Sequence, residues 1–409
     1  MPKLSTANSA IKPSKQKTLR FAHPFFTDIP PEMRKSIPGV GKQMTDYIIT
    51  KLESIPAPQR DPTMTLDQII GAVGVAEIEK AKSVSFHAVG DTGHESGTMQ
   101  ELIAQAMTLD YDIHHPGKSP AFFLHLGDVN YYDNTDQGYQ AQFYIPYKKY
   151  PGKIIAIPGN HDAELFTWKG TSSGQKATLD AFRRNFCQPK TAVPAAAGTI
   201  YREMISQPGV YWVLNMPFID IIGLYSNVAE GPGFISSPDI GIKQKDWLAK
   251  MLGKIKKNRK KGSRKALLLA VHHPPFSSGG HSSSVAMLKD IDDCCAKSGI
   301  MPDAVIAAHD HDYQRYTRFV SFGGKEVTIP YLVAGSGGHG LVSALKKADG
   351  SRFGDHTYDK ALLGYAYLLI TANVQKLTIE VIEVTQNQQS FQKNSFEKVI
   401  IDLKANGLS

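Results

Sequence analysis

The stretch AFFLHLGDVNYY, residues 121–132, decides the fold. A short apolar run stops at a Gly-Asp pair, and a carboxylate and two phenols follow at once. Four other segments repeat the plan: VSFHAV into GDTG at 84–93, KIIAI into PGNHD at 153–162, ALLLAV into HHPP at 266–275, and DAVIAA into HDH at 303–311. Runs of four to eight apolar residues bounded by Gly, Pro or polar loops read as buried strands. Most of the intervals between them are long enough for helices, and two intervals carry apolar residues at helical spacing, at Asp246–Ile255 and Val285–Cys295. Strand-loop-helix alternation of this kind predicts an α/β core. Late in the chain the order changes to consecutive strands, VTIPYLVAG, GYAYLLI and KLTIEVIEV, which predicts two packed sheets in place of one doubly wound sheet.

Outward from that core, residues 1–20 read as a disordered basic tail and 21–82 as a helical extension. Its two helical patterns lie near Gly41–Leu52 and Leu66–Lys80, with the Pro-rich connector SIPAPQRDP between them. Residues 83–385 hold the alternating core, and 386–409 read as a C-terminal extension. Apolar residues at 42% and charged residues at 21% are ordinary for a globular chain and argue against disorder. The longest apolar runs, Ala266–Val271 and Tyr365–Ile370, fall far short of the roughly 20 residues of a spanning helix. The basic start lacks the apolar stretch of a signal peptide, so a cytoplasmic location is expected. Cys187, Cys294 and Cys295 have neither a disulfide framework nor zinc spacing and read as buried or incidental thiols. A net charge of +8 favours anionic partners. Much of it is local, however, in the run from Lys256 to Lys265, which no aromatic residues interleave as a nucleic-acid stacking platform would need. A solvated loop is the favoured reading there.

In open α/β sheets ligands collect outside the carboxyl ends of strands, so the five loops are expected to converge. Together they offer carboxylate oxygens and imidazole nitrogens, the donor mixture that two divalent or trivalent ions require. A glycine before each Asp permits tight turns and close backbone approach. Any one of these loops alone would read as a turn; five in this order read as a site.

The ordered series GD, GDxxY, GNHD, a strand-terminal His before proline, and HxH resembles the calcineurin-like metallophosphoesterase superfamily, over about Ser83 to Val384. Most of that superfamily carries a His two residues after the first Asp. Here that position is Gly93, and Tyr131 stands three residues after the second Asp, as in the purple acid phosphatases. The resemblance implies a four-layer αββα fold and a dinuclear centre. Asp91, Asp128, Tyr131 and His311 would hold a first ion, expected to be iron; Asp128, Asn160, His272 and His309 would hold a second, iron, zinc or manganese. It further implies phosphomonoester hydrolysis by attack of a metal-bound water or hydroxide on a phosphorylated small molecule or phosphoprotein. His161 would protonate the leaving group, and Asn160, His161 and His281 would touch substrate. Asp162, beside His161, reads either as orienting that imidazole or as a carboxylate that caps the turn. Tyr132 is a competing phenol one residue beyond the motif, and His94 and His273 are spare imidazoles off the ligand positions. Ala308 stands where the last motif usually has Gly. Arg183 and Arg184 in AFRRNF read as a solvated cover or, less favoured, as a basic helix near the mouth, and His339 is a candidate for lining the site. The competing readings are a phosphodiesterase acting on nucleotides or nucleic acid, and a non-catalytic binding protein on the same fold.

Overall fold

The computed structural model describes residues 51–94, 97–167, 170–260, 264–341, 345–387, 390–404 and 407–408. The expected tail and nearly all of the helical pattern at Gly41–Leu52 lie outside these residues. Two sheets form the body. The seven-stranded sheet runs β16-β15-β14-β13-β2-β3-β4, from β16 (Gly407–Leu408), β15 (Ser390–Asp402), β14 (Lys376–Asn387) and β13 (Tyr365–Ala372) to β2 (Val84–Val89), β3 (Pro120–His125) and β4 (Lys153–Ala156). The nine-stranded sheet runs β1-β5-β6-β7-β8-β10-β9-β12-β11. Its members are β1 (Thr63–Thr65), β5 (Trp212–Asn215), β6 (Ile219–Gly223), β7 (Ala266–Ala270), β8 (Ala304–Ala307), β10 (Lys325–Ala334), β9 (Tyr313–Phe322), β12 (His356–Leu362) and β11 (Arg352–Phe353).

Period-two alternation explains why the motif strands read as unbroken apolar runs. In β7, Ala266, Leu268 and Ala270 face the inter-sheet core with Phe86, Phe122 and Ile155 of the other sheet. Leu267, Leu269 and the following Val271 face outward onto Leu248, Leu252, Met287 and Ile291, on helices α4 (Lys243–Lys260) and α5 (Val285–Ser298). A strand covered on both faces has no polar side to show. Across the molecule, α2 (Thr98–Thr108) covers the other outer face, setting Ile103 and Met107 against Phe123 and Ile154. The result is the expected helix-sheet-sheet-helix layering. Truncating Leu268 to Ala is expected to cost about 2–5 kcal/mol.

Among the described residues, elements on either side of 83–385 build onto the same two sheets. β1 pairs in parallel with β5, and α1 (Asp67–Ala81) adds Ile69 and Ile78 to the inter-sheet core. β15 pairs along β14 from Asn387 to Lys376. The described parts of these segments, β1, α1 and β15, thus pack with the two sheets. Part of the basic run is also structural: Arg259 and Arg264 reach the buried Asp303 at 2.9 and 2.6 Å, and Arg264 Nε donates to Leu403 O at 3.0 Å. All three cysteines are free and buried. No helix among the described residues is long and apolar enough to cross a membrane.

Candidate active site

The parallel strands β2, β3 and β4 of one sheet and β7 and β8 of the other end at one rim, and the five motif loops meet there. Three of the turns are unusual. Asp91, Asp128 and His309 adopt φ of 55°, 53° and 69°, a region that costs a non-glycine residue about 1 kcal/mol or more and persists where the surroundings impose it. Each turn folds the chain back directly at a metal-capable side chain. Gly159 supplies the close approach, since a Cβ there would lie 2.1 Å from Asp128 Oδ1. Ala308 is accommodated because the left-handed residue is His309, one position later, and because Gly90 opposite has no side chain; a Cβ at Gly90 would meet that of Ala308 at 2.5 Å.

Around Asp91, the Tyr131 hydroxyl donates to Oδ1 at 2.9 Å and lies 3.1 Å from His311 Nε2. Asp91 Oδ2 accepts the His309 backbone N–H at 2.7 Å. Gly93 and Tyr131 are linked sterically. A Cβ at position 93 would lie 2.6 Å from Val129 O and 2.8 Å from Gln142 Oε1, and Gln142 holds Tyr131 at both its N–H and its carbonyl, 3.0 Å each. The loop that presents Tyr131 thus occupies the space a side chain at 93 would need.

Around Asp128, lone pairs converge. His272 Nδ1 faces Leu126 O at 2.9 Å, and a carbonyl can only accept, so the proton of a neutral ring sits on Nδ1. Nε2 then points a lone pair at Asp128 Oδ2, 3.2 Å away, and at Asn160 Oδ1, 3.1 Å away. Three acceptors around one point require a cation, either a proton or a metal ion. His309 obeys the same logic: Nε2–H donates to Glu230 O at 2.8 Å, leaving Nδ1 as a ligand atom. Asp128, His272 and His309 offer ligand atoms all within 4.8 Å of one another. The donor set fits metal binding.

Burial lifts the Asp91 carboxyl well above its usual range. At Asp128 burial pushes the same way, but His272 and His161 outweigh it and keep this carboxylate ionised. Burial opposes charge on His272, yet Asp128 and Asp91 raise its pKa to about 9. His309 and His311 are driven well below 6.5 by burial and by the neighbouring imidazoles, which keeps both as neutral donors.

His161 donates its backbone N–H to Asp128 Oδ1 at 2.9 Å. Its ring is held by Glu164, whose Oε2 lies 3.0 Å from Nδ1. Asp162, a candidate to orient that ring, does other work: its buried carboxylate accepts N–H groups of Val129 at 3.1 Å and Gly159 at 2.9 Å, tying the second and third motif loops together. The reason is directional, since the Asp162 carboxylate turns to the backbone of the loops while Glu164, three positions on, meets the Nδ1 edge of the ring. His281 is buried with its ring 4.1 Å from that of His309, and its N–H donates to Asp310 Oδ1 at 2.9 Å.

A family profile described as calcineurin-like phosphoesterase matches residues 84–313, more than half of the chain. The chain belongs to that family. Its family is one of metal-dependent phosphoesterases that bind a dinuclear metal centre and act on phosphorylated substrates, and Asp128, His272 and His309 give this phosphoesterase a group able to hold an ion. No curated protein matches it. Among solved structures, GAP50, the anchor in the inner membrane complex of Plasmodium, is 12% identical, covering 78% of this chain and 89% of its own at a TM-score of 0.51. PhoD is 12% identical over 87% of this chain and 73% of its own at 0.48, and the calcineurin-like phosphoesterase YfkN from Bacillus subtilis is 12% identical over 79% and 92% at 0.26. The likeness to GAP50 shows a shared fold and nothing finer.

Sequence reasoning passed over two groups in the phosphoesterase site. Glu164 was detectable by its spacing from His161. Glu230 was not, because its loop follows β6 without any motif. The Glu230 carboxylate accepts from Asn160 Nδ2 at 3.0 Å, turning Asn160 Oδ1 toward His272, while its carbonyl fixes the His309 tautomer. His273 is sealed by Ser226 Oγ and Ala229 O at 2.7 and 2.9 Å. Arg183 and Arg184, on α3 (Asp180–Phe186), line a cleft with Gln59, Asp136 and Pro194 that contains no metal-motif residue. They are not brought to the site.

Proposed function

We propose that this phosphoesterase is a phosphomonoesterase of the purple acid phosphatase type. The observation that carries the reading is the Tyr131 hydroxyl, 2.9 Å from Asp91 Oδ1 and 3.1 Å from His311 Nε2 beside a backbone that leaves no room at Gly93. Asp91, Asp128, Tyr131 and His311 would hold one ion, an iron, and Asp128, Asn160, His272 and His309 the other, an iron, zinc or manganese. Two ions bound there supply an activated water and neutralise the charge that develops as the ester breaks. The chain's own residues do the rest. Asn160, His161 and His281 border the space beside the ligands and orient the phosphoryl group. His161 Nε2, with Nδ1 occupied by Glu164, is the edge that gives a proton to the departing oxygen.

The test is optical and catalytic. A phenolate on ferric iron absorbs visible light, so oxidised iron-loaded protein is expected to be coloured and Tyr131→Phe to be colourless with the fold retained. Nitrophenyl phosphate is expected to be cleaved faster than its bis-ester. A Tyr131→Phe variant that keeps the band sinks the purple-type assignment, and a faster bis-ester makes the enzyme a diesterase.

A further inference from the structure

Beside His161 stands a group of rings that neither metal binding nor proton transfer uses. Tyr131 is buried, at 2% exposure, but Tyr132 is half-buried, as are His94 and His339. Tyr132 takes φ of 65°, a conformation bulky side chains rarely adopt. The turn is pinned from both sides. Asn130 Nδ2 donates to Asp133 O, Asp133 Oδ1 accepts the Thr135 N–H at 3.1 Å and its hydroxyl at 2.6 Å, and the Tyr132 N–H meets the Glu164 carboxylate. What this turn achieves is the placement of one ring. Tyr132 stands edge-on to His161 with centroids 5.1 Å apart, and 6.2 Å from His339. His339 in turn is fixed by stacking on Tyr131 at 3.4 Å and by its Nδ1–H donating to Gly93 O at 2.5 Å.

Strain that holds a half-buried aromatic side chain against the proton donor points to a ligand contact. We propose that Tyr132, backed by His339, is a platform on which an aromatic leaving group stacks, making the enzyme selective for aryl over alkyl phosphate monoesters. This rests on the reading that the departing oxygen meets His161. A ring joined directly to that oxygen falls within one ring width of Tyr132, whereas a nucleobase is held a whole ribose further away.

Phenyl phosphate is compared with a fluoroalkyl phosphate of matched alcohol acidity, so that proton demand cancels and only the ring differs. A stacked ring contributes on the order of tenfold, so Tyr132→Leu, which keeps a side chain of similar backbone demand, is expected to lower kcat/KM for phenyl phosphate about tenfold and leave the alkyl ester within twofold. Tyr132→Phe is expected to retain the preference. Calorimetric binding of phenylphosphonate and methylphosphonate to the zinc-loaded protein reads the same contact without turnover, and Tyr132→Leu should weaken only the first. Equal losses for both esters and both phosphonates, or a loss falling on adenosine monophosphate but not on phenyl phosphate, overturn the platform while leaving the phosphomonoesterase reading intact. No turnover and no phosphonate binding in the wild type sink that reading and the platform with it.

Discussion

The cation required between His272, Asp128 and Asn160 makes metal binding a proton exchange. In the metal-free chain His272 has its pKa raised from 6.5 to about 9, so at pH 7 the point where three acceptors meet is filled by a proton. A metal ion must displace it. At pH 7 the competition lowers apparent affinity roughly 100-fold, about 2.7 kcal/mol, and affinity should rise about tenfold per pH unit up to the folded pKa. Asp91, lifted by burial, adds an effect of the same sign. Folding stability carries the opposite slope. A histidine whose folded pKa lies above its unfolded value contributes stability that is complete below pH 6.5 and is lost as pH rises through about 9, on the order of 3 kcal/mol for a fully buried group. The assay is calorimetric titration of metal-free protein with zinc between pH 6.5 and 8.5, in buffers of different protonation enthalpy, beside thermal melts of the same samples. At least one proton should leave per bound ion at pH 7, and His272→Asn should lower that release by about one proton. Flat affinity with no proton release, or a metal-free protein as stable at pH 9 as at pH 6.5, would refute the lone-pair argument.

Further outcomes can be read from the same geometry. Asp128→Asn removes the carboxylate placed to touch both ions and should abolish turnover and lower metal content; near-normal activity at full occupancy would remove its bridging role. His161→Ala should cut turnover by about 10²–10⁴ with metals retained, the loss shrinking for the more acidic leaving group of nitrophenyl phosphate relative to phenyl phosphate. Glu164→Gln should reproduce part of that pattern, whereas Asp162→Ala should chiefly lower Tm, because its partners are backbone N–H groups and the buried Tyr139 hydroxyl. Gly159→Ala places a methyl group 2.1 Å from Asp128 Oδ1 and should cost metal occupancy, measured by elemental analysis, with about 1–3 kcal/mol of stability.

Much of this molecule was legible in the order of its residues. Strands covered on both faces read as unbroken apolar runs, and the side chains at their carboxyl ends follow within one to five positions, so ALLLAV-His272 and AFFLHL-Gly127-Asp128 announce both strand and ligand candidate. Local spacing carries that information because the strand and its terminal loop are continuous in the chain. What the tertiary structure alone decided are contacts between distant segments. The short β1 and the alternating, half-exposed β15 have no apolar run to mark them, and only pairing with β5 and β14 makes them part of the sheets. Spacing leaves Asp162 open between orienting His161 and capping the turn, because a neighbouring position does not fix direction; the fold gives Asp162 the backbone N–H groups and Glu164 the ring. Glu230 reaches Asn160 across 70 residues and His339 reaches Gly93 across 246. No period in the sequence encodes such a meeting, since it depends on how two sheets pack and on which loops their ends bring together.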